Sequence, residues 1–302
     1  MSRLPSLFVS HGAPTFALAP GLAGPRLTEL GRALPRPDAV LVVSPHWVTP
    51  TPRVSITSQP ATIHDFGGFD PALYRMSYPA RGHPELAQRA VQHLQDSGWS
   101  AWPDERRGLD HGAWVPLIHL FPAADVPVFQ VSLPSRLDAQ SAWSFGQALA
   151  PLADEGVLIV GSGSLTHNLY EFRSVSDLDE TYATEFAAWL REAVEQGDSA
   201  RLRRTLDDAP HARRAHPTAE HFWPLLVAAG AAGERVPAQV IEGGIAHGVL
   251  AMDAYAFGMA PAAHGPGPVT GRAAVDPAAV AAASRRIPAG GATGAAGGNR
   301  AG

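Results

Sequence analysis

Leu41-Val42-Val43-Ser44-Pro45-His46-Trp47 is an apolar run that ends in a proline and a histidine. With Ala39 and Val40 before it, the run has no alternating polar face, which is the pattern of a strand covered on both sides of a sheet. The same syntax occurs in Phe8-Val9-Ser10-His11-Gly12-Ala13-Pro14. It occurs again in Val157-Leu158-Ile159-Val160-Gly161-Ser162-Gly163-Ser164-Leu165-Thr166-His167-Asn168. Each places a histidine at, or a few residues beyond, the carboxyl end of a buried strand.

Outward from these, the strand candidates are 6–10, 39–44, 54–57, 126–133, 157–161 and 239–242. Helical patterns at about 83–96, 138–152, 180–196 and 218–230 fall between them. Pro84 suits a first helical position, and Thr218 reads as an N-cap ahead of Ala219-Glu220-His221. This alternation predicts an α/β fold: a single three-layer domain around a central mostly parallel sheet. In open α/β sheets ligands gather outside the carboxyl ends of the strands, so the three histidine junctions are expected to converge there on a shared metal site.

The 302 residues, 45% of them hydrophobic, suffice for one large core, and no long linker divides the chain. Residues 1–261 are expected to be the catalytic domain. From about 262 to 302, Pro, Ala and Gly take over, and such a segment buries too little apolar surface to offset its ordering entropy, so a flexible tail is expected there. A net charge of -5 gives no basic footprint for nucleic acid or an anionic membrane. No stretch approaches the ~20 apolar residues of a membrane span. The start lacks a long apolar signal region, so a cytoplasmic location is expected.

With no cysteine and 13 histidines, any metal takes nitrogen and oxygen ligands. His11 and His46 are the first two ligand candidates, and Gly12 and Gly161 to Gly163 permit close backbone approach. His221 falls in the first turn of a predicted helix, whereas His216 lies before the cap and is freer to be a surface residue; spacing alone leaves the choice between them open. Asp110-His111-Gly112-Ala113-Trp114 is a polar loop leading into an apolar helix, and loops of this kind often carry catalytic side chains. His64-Asp65-Phe66-Gly67-Gly68-Phe69 reads as a substrate wall. His83, His93, His119, His211 and His264 are assigned no role.

Ser10 to Pro14, Ser44 to Trp47, Thr62 to Phe69, Leu73-Tyr74, Tyr78 to Ala80, Gly108 to Trp114, Gly163 to Asn168 and Thr218 to His221 occur in a telling order. In that order the chain resembles the class III extradiol ring-cleavage dioxygenases, and among them the DOPA 4,5-dioxygenase-like members. The resemblance spans roughly residues 5–259. It implies a single α/β domain and a mononuclear non-haem metal site in which His11, His46 and His221 match the metal-binding histidines. His167 matches a site histidine that is either a further ligand or the acid/base, and His111 a histidine of the substrate pocket.

The third ligand is thus a histidine where typical extradiol enzymes use a carboxylate; Glu220 and Glu242 rank below it. Imidazole suits Fe(II) and Zn(II), and only iron supplies redox chemistry, so Fe(II) is expected in the active form and zinc as a possible bound metal. A small catechol and O2 are the expected substrates. The catechol chelates through both oxygens and the ring opens beside the diol to a muconic semialdehyde-type acid. His167 serves as general acid/base because imidazole titrates near neutral pH. His111 hydrogen-bonds substrate or oxygen, and Trp47, Phe66 and Phe69 are wall candidates. The alternatives are a zinc-dependent hydrolase, weakened by the absence of His-Glu-x-x-His, and a non-catalytic metal-binding protein on the same fold.

Overall fold

The computed structural model describes residues 3–172 and 180–259. The expected tail at 262–302, with His264, lies outside the described residues. Among the described residues there are ten strands: β1 (Ser6–Ser10), β2 (Ala39–Thr49), β3 (Arg53–Ser55), β4 (Trp102–Asp104), β5 (Val128–Pro134), β6 (Val157–Gly163), β7 (Ala238–Ile241), β8 (Ile245–Ala246), β9 (Leu250–Ala251) and β10 (Ala254–Phe257). Eight form one sheet in the order β4-β3-β5-β2-β6-β1-β10-β7, and β8 and β9 make a separate hairpin. The central strands β5, β2, β6 and β1 are parallel, while β10 and β7 close one flank antiparallel.

The continuous apolar runs split between two cores because side chains alternate across a strand. Val40, Val42, Leu158 and Val160 pack with α1 (Ala23–Ala33) and α3 (His111–Leu120). Leu41, Val43, Val157 and Ile159 face the other way, against α2 (Pro84–Asp96) and residues Phe145 and Leu149 of α4 (Ala139–Leu149). The expected three-layer α/β fold with a mostly parallel sheet is therefore what the chain adopts. Each such side chain contributes about 1.5–3 kcal/mol by leaving water. No helix among the described residues is long and apolar enough to cross a membrane.

Two boundaries differ from expectation in ways that shape the site. Strand β2 does not stop at Ser44: pairing with β5 jumps from Ser44↔Ser132 to Val48↔Leu133, so Pro45, His46 and Trp47 form a bulge inside a longer strand. Pro45 has no N–H for the ladder, which is why pairing breaks there. The helix expected at 218–230 begins later, as Trp223–Ala232, with Pro224 in its first turn. A proline ring clashes with the carbonyl four residues back and lacks the N–H that would bond it, so Pro224 disfavours a helix begun near 219 and suits the first turn of one begun at Trp223. Thr218 consequently caps no helix, and His221 sits in the turn that precedes it.

Candidate metal centre

Backbone contacts hold the histidines of the cluster in place. His11 extends β1 by donating its N–H to the Gly163 carbonyl at 2.9 Å. The chain then turns at Gly12, whose φ of 62° favours glycine and whose missing Cβ would lie 2.7 Å from Met252 Cε. The β2 bulge presents His46, and the Arg107 guanidinium donates to its carbonyl at 3.2 Å. The His221 carbonyl accepts from Ser164 N at 3.0 Å, and His167 N donates to the Ala215 carbonyl at 2.7 Å. Gly163 lies so close to the His221 carbonyl and to Phe8 that no side chain fits there. His111 opens α3, with Asp110 as the N-cap accepting from Ala113 N at 3.2 Å.

The imidazoles of His11, His46 and His221 converge. Nε2 of His11 lies 3.1 Å from Nε2 of His46. The His221 ring centroid is 5.5 Å from that of His11 and 5.2 Å from that of His46. One ligand atom from each of the three lies within 4.8 Å of the other two. The ring of His167 stacks on His221 at 3.4 Å with a 10° tilt, and His111 approaches His46 at 3.9 Å.

Hydrogen bonding around the rings tests whether this trio suits a cation. Pro116, inside α3, has no N–H, so the Gly112 carbonyl four residues back lacks its helical partner. The Ser162 hydroxyl fills that gap by donating to Gly112 O. Having spent its proton there, Ser162 Oγ accepts from Nδ1 of His11, 3.0 Å away. His11 therefore carries its hydrogen on Nδ1 and offers a lone pair at Nε2. Nδ1 of His221 faces the acceptor-only Glu220 carboxylate at 3.2 Å, and its Nε2 is buried without a hydrogen-bond partner. Three convergent imidazole edges, one of them an orphaned buried nitrogen, fit a metal held by nitrogen ligands.

Electrostatics favour the same form. Burial, reinforced by His46, holds His11 well below the usual imidazole range, and burial with His167 does so for His221. Burial and His111 bring His46 to about 4. Burial also lowers His167, with Glu220 pulling against it. The imidazoles are thus neutral near pH 7, the state that binds metal.

His216, read from the sequence as freer to lie on the surface, is buried. Its Nε2 donates to the Leu165 carbonyl at 2.8 Å, and its ring lies between Phe186 and Phe222. Burial pushes its pKa down to about 4. A folded-state value below the unfolded one means that stability is complete above about pH 6.5 and falls as pH drops toward 4, by about 3 kcal/mol in total. Urea midpoints between pH 7 and 4.5 are expected to fall more steeply for the wild type than for His216→Asn, which removes this titration; parallel slopes refute the assignment.

Several other side chains resolve differently from their sequence reading. Asp110 is wholly buried, accepting from Ser44 Oγ, Gln130 Nε2 and Arg107 Nη2. Trp47 is buried, with the Arg107 guanidinium 5.0 Å over its ring. Glu242 pairs with Arg191 at 2.9 Å, away from the imidazoles. Phe66 stands edge-on to His111 at 5.7 Å and near Phe69 and Tyr74. Beside the trio, a cavity of about 530 Å³ is lined by His167, Leu169, Tyr170, Pro217, Thr218 and Glu220.

Sequence reading missed Asp65 as a site carboxylate. Its Oδ2 lies 3.0 Å from His111 Nδ1 and 3.7 Å from His46 Nδ1. Burial pushes its carboxyl up, but the hydrogen bonds and charge of His111 outweigh this and hold it at about 2. The neighbouring glycines and aromatics marked the loop as a wall, and no spacing rule links position 65 to 111.

An open α/β sheet with neutral imidazoles gathered near its parallel strand ends, and no thiolate in the chain, forms a site suited to a metal held by nitrogen ligands. The chain belongs to the LigB family of aromatic ring-opening dioxygenases: residues 20–258 match the family described as the catalytic LigB subunit of aromatic ring-opening dioxygenase. It is 43% identical over 256 residues to the 4,5-DOPA dioxygenase extradiol of Beta vulgaris, covering 83% of this chain and 96% of that protein. The Escherichia coli K12 protein of the same name is 37% identical over 254 residues, covering 83% and 93%. An uncharacterized Escherichia coli K12 protein of known crystal structure superposes with a TM-score of 0.70 at 33% identity, over 85% of this chain and all of the other. The protein is accordingly an extradiol ring-cleaving dioxygenase.

Proposed function

We propose that the chain opens a catechol bearing a DOPA-like side chain at a mononuclear Fe(II) held by His11, His46 and His221. The observation that carries this reading is the convergence of the three imidazoles around the unpartnered Nε2 of His221. Three protein ligands leave room for a bidentate substrate and dioxygen. When bound, Fe(II) supplies the charge that favours the catecholate and the redox link between ring and O2. Both oxygen atoms end in the product, so no external reductant enters the balance.

The chain's own residues position the substrate and move protons. His167 borders the cavity and is neutral at pH 7, so it can accept the first catechol proton and return one as the ring opens. His111 hydrogen-bonds the substrate, and Phe66 and Phe69 exclude water along one side. The 4,5-DOPA dioxygenase extradiol relatives support a DOPA-like substrate.

The test is anaerobic reconstitution with Fe(II), verification of bound iron, and addition of DOPA and other catechols under oxygen. Iron-loaded protein is expected to give a yellow semialdehyde absorbance with stoichiometric oxygen uptake, whereas zinc-loaded protein gives neither. Iron-loaded protein that opens no catechol in a broad panel ends this reading.

A further inference from the structure

Asp65 reaches two site histidines at once. Its Oδ1 accepts from the backbone N–H of His111 at 2.9 Å, which anchors the carboxylate at the start of α3. Its Oδ2 then lies 3.0 Å from Nδ1 of His111 and 3.7 Å from Nδ1 of His46, with the side chain 23% exposed. The approach to His111 is close but off the ring N–H axis, and such contacts commonly straighten once a site is filled. An ionised carboxylate only accepts hydrogen bonds. His111 Nδ1, buried with no aligned hydrogen-bond partner, has this acceptor as its near neighbour, and His46 Nδ1 faces the same oxygen from beyond hydrogen-bond distance.

We infer that Asp65 is a positioning residue that fixes the Nδ1–H tautomer of both rings, so that His46 offers Nε2 to the metal and His111 offers Nε2 as an acceptor to a catechol hydroxyl. The second half rests on the catechol reading of the site; the first does not. Ser162 sets the His11 tautomer through a direct 3.0 Å contact, and on this inference Asp65 does the same for His46 from 3.7 Å. Asp65 also couples this to the substrate wall, because the next residue, Phe66, stands edge-on to His111 at 88°. One short segment thus orients a ligand, a substrate-facing imidazole and an aromatic wall.

The experiment is long-range proton–nitrogen correlation of the imidazoles in zinc-loaded protein, with zinc affinity and iron-supported turnover measured on the same variants. The wild type is expected to show hydrogen on Nδ1 of His46 and His111. Asp65→Asn, whose amide also donates, is expected to mix or invert the His111 tautomer and to weaken zinc binding roughly 10–100-fold. At saturating iron its kcat is expected to fall by a similar roughly 10–100-fold, with KM changed much less. Hydrogen on Nε2 of His111 in the wild type overturns the inference without any variant. So do unchanged tautomers and zinc affinity in Asp65→Asn. A second equivalent of zinc that Asp65→Asn removes would assign His46, Asp65 and His111 to a cation and also overturn it. If the iron-loaded wild type opens no catechol, the proposed function fails while the tautomer and zinc measurements still decide the role of Asp65.

Discussion

His11→Ala is expected to retain no metal after dialysis and to open no aromatic ring. His11 stands in the middle of the cluster, with ring centroids 5.0 Å from His46, 5.6 Å from His111 and 5.5 Å from His221. Its Nδ1 is committed to Ser162 and its Nε2 points at His46, so its lone pair faces the centre of the trio. Removing one first ligand of three is expected to cost more than the roughly 10–100-fold that loss of an outer partner costs. Elemental analysis and oxygen uptake check the two halves separately. Melting curves supply the control: metal-bound wild type gains stability by mass action on the folded state, whereas the variant gains none at the same metal concentration. Full metal occupancy in His11→Ala would remove His11 from the ligand set.

What the sequence made legible follows from which signals are local. The runs at 39–43 and 157–160 betray strands buried on both faces because alternation is absent, and both lie in the parallel centre of the sheet. His11 and His167 are singled out by their distance from the runs at 6–10 and 157–160 alone. His46 follows its apolar run as the sequence indicates, but a bulge carries it within β2 and not after the strand. Strand β10 and helix α1 left no usable trace: Ala254–Phe257 is four residues long, and Ala23–Ala33 carries a glycine and a proline in its first turn. The burial of His216 was misread because its position before a supposed helix cap said nothing of the 186 and 222 rings that enclose it. Asp65 and Ser162 act through contacts 46 and 151 residues away in the chain, a separation no pattern in one sequence spans.

His167→Ala is expected to keep its metal and lose turnover by about 10²–10⁴-fold, the usual range for a general acid/base. Two roles compete for this residue, and they diverge in what survives the substitution. His167 groups with Glu220 and His221 in offering ligand atoms, and not with His11 and His46, which places it at the rim of the trio. Its ring lies flat on that of His221 and borders the cavity beside Tyr170 and Glu220. A residue so placed meets a substrate hydroxyl before it meets the cation. Its pKa is lowered chiefly by burial, against the opposing charge of Glu220, so the neutral base is the resting form at pH 7. Wild-type kcat is therefore expected to rise with pH through a value below 6.5 and then level, because only the unprotonated imidazole accepts the catechol proton. His167→Ala should lose that acid limb along with the rate, while iron content and the KM for the catechol stay near wild type. Iron content that falls in step with activity would instead make His167 a fourth ligand, leaving fewer open positions for substrate and oxygen. The acid limb separates the two roles even if the residual rate is low, since a missing ligand changes occupancy at every pH and a missing base changes the shape of the profile.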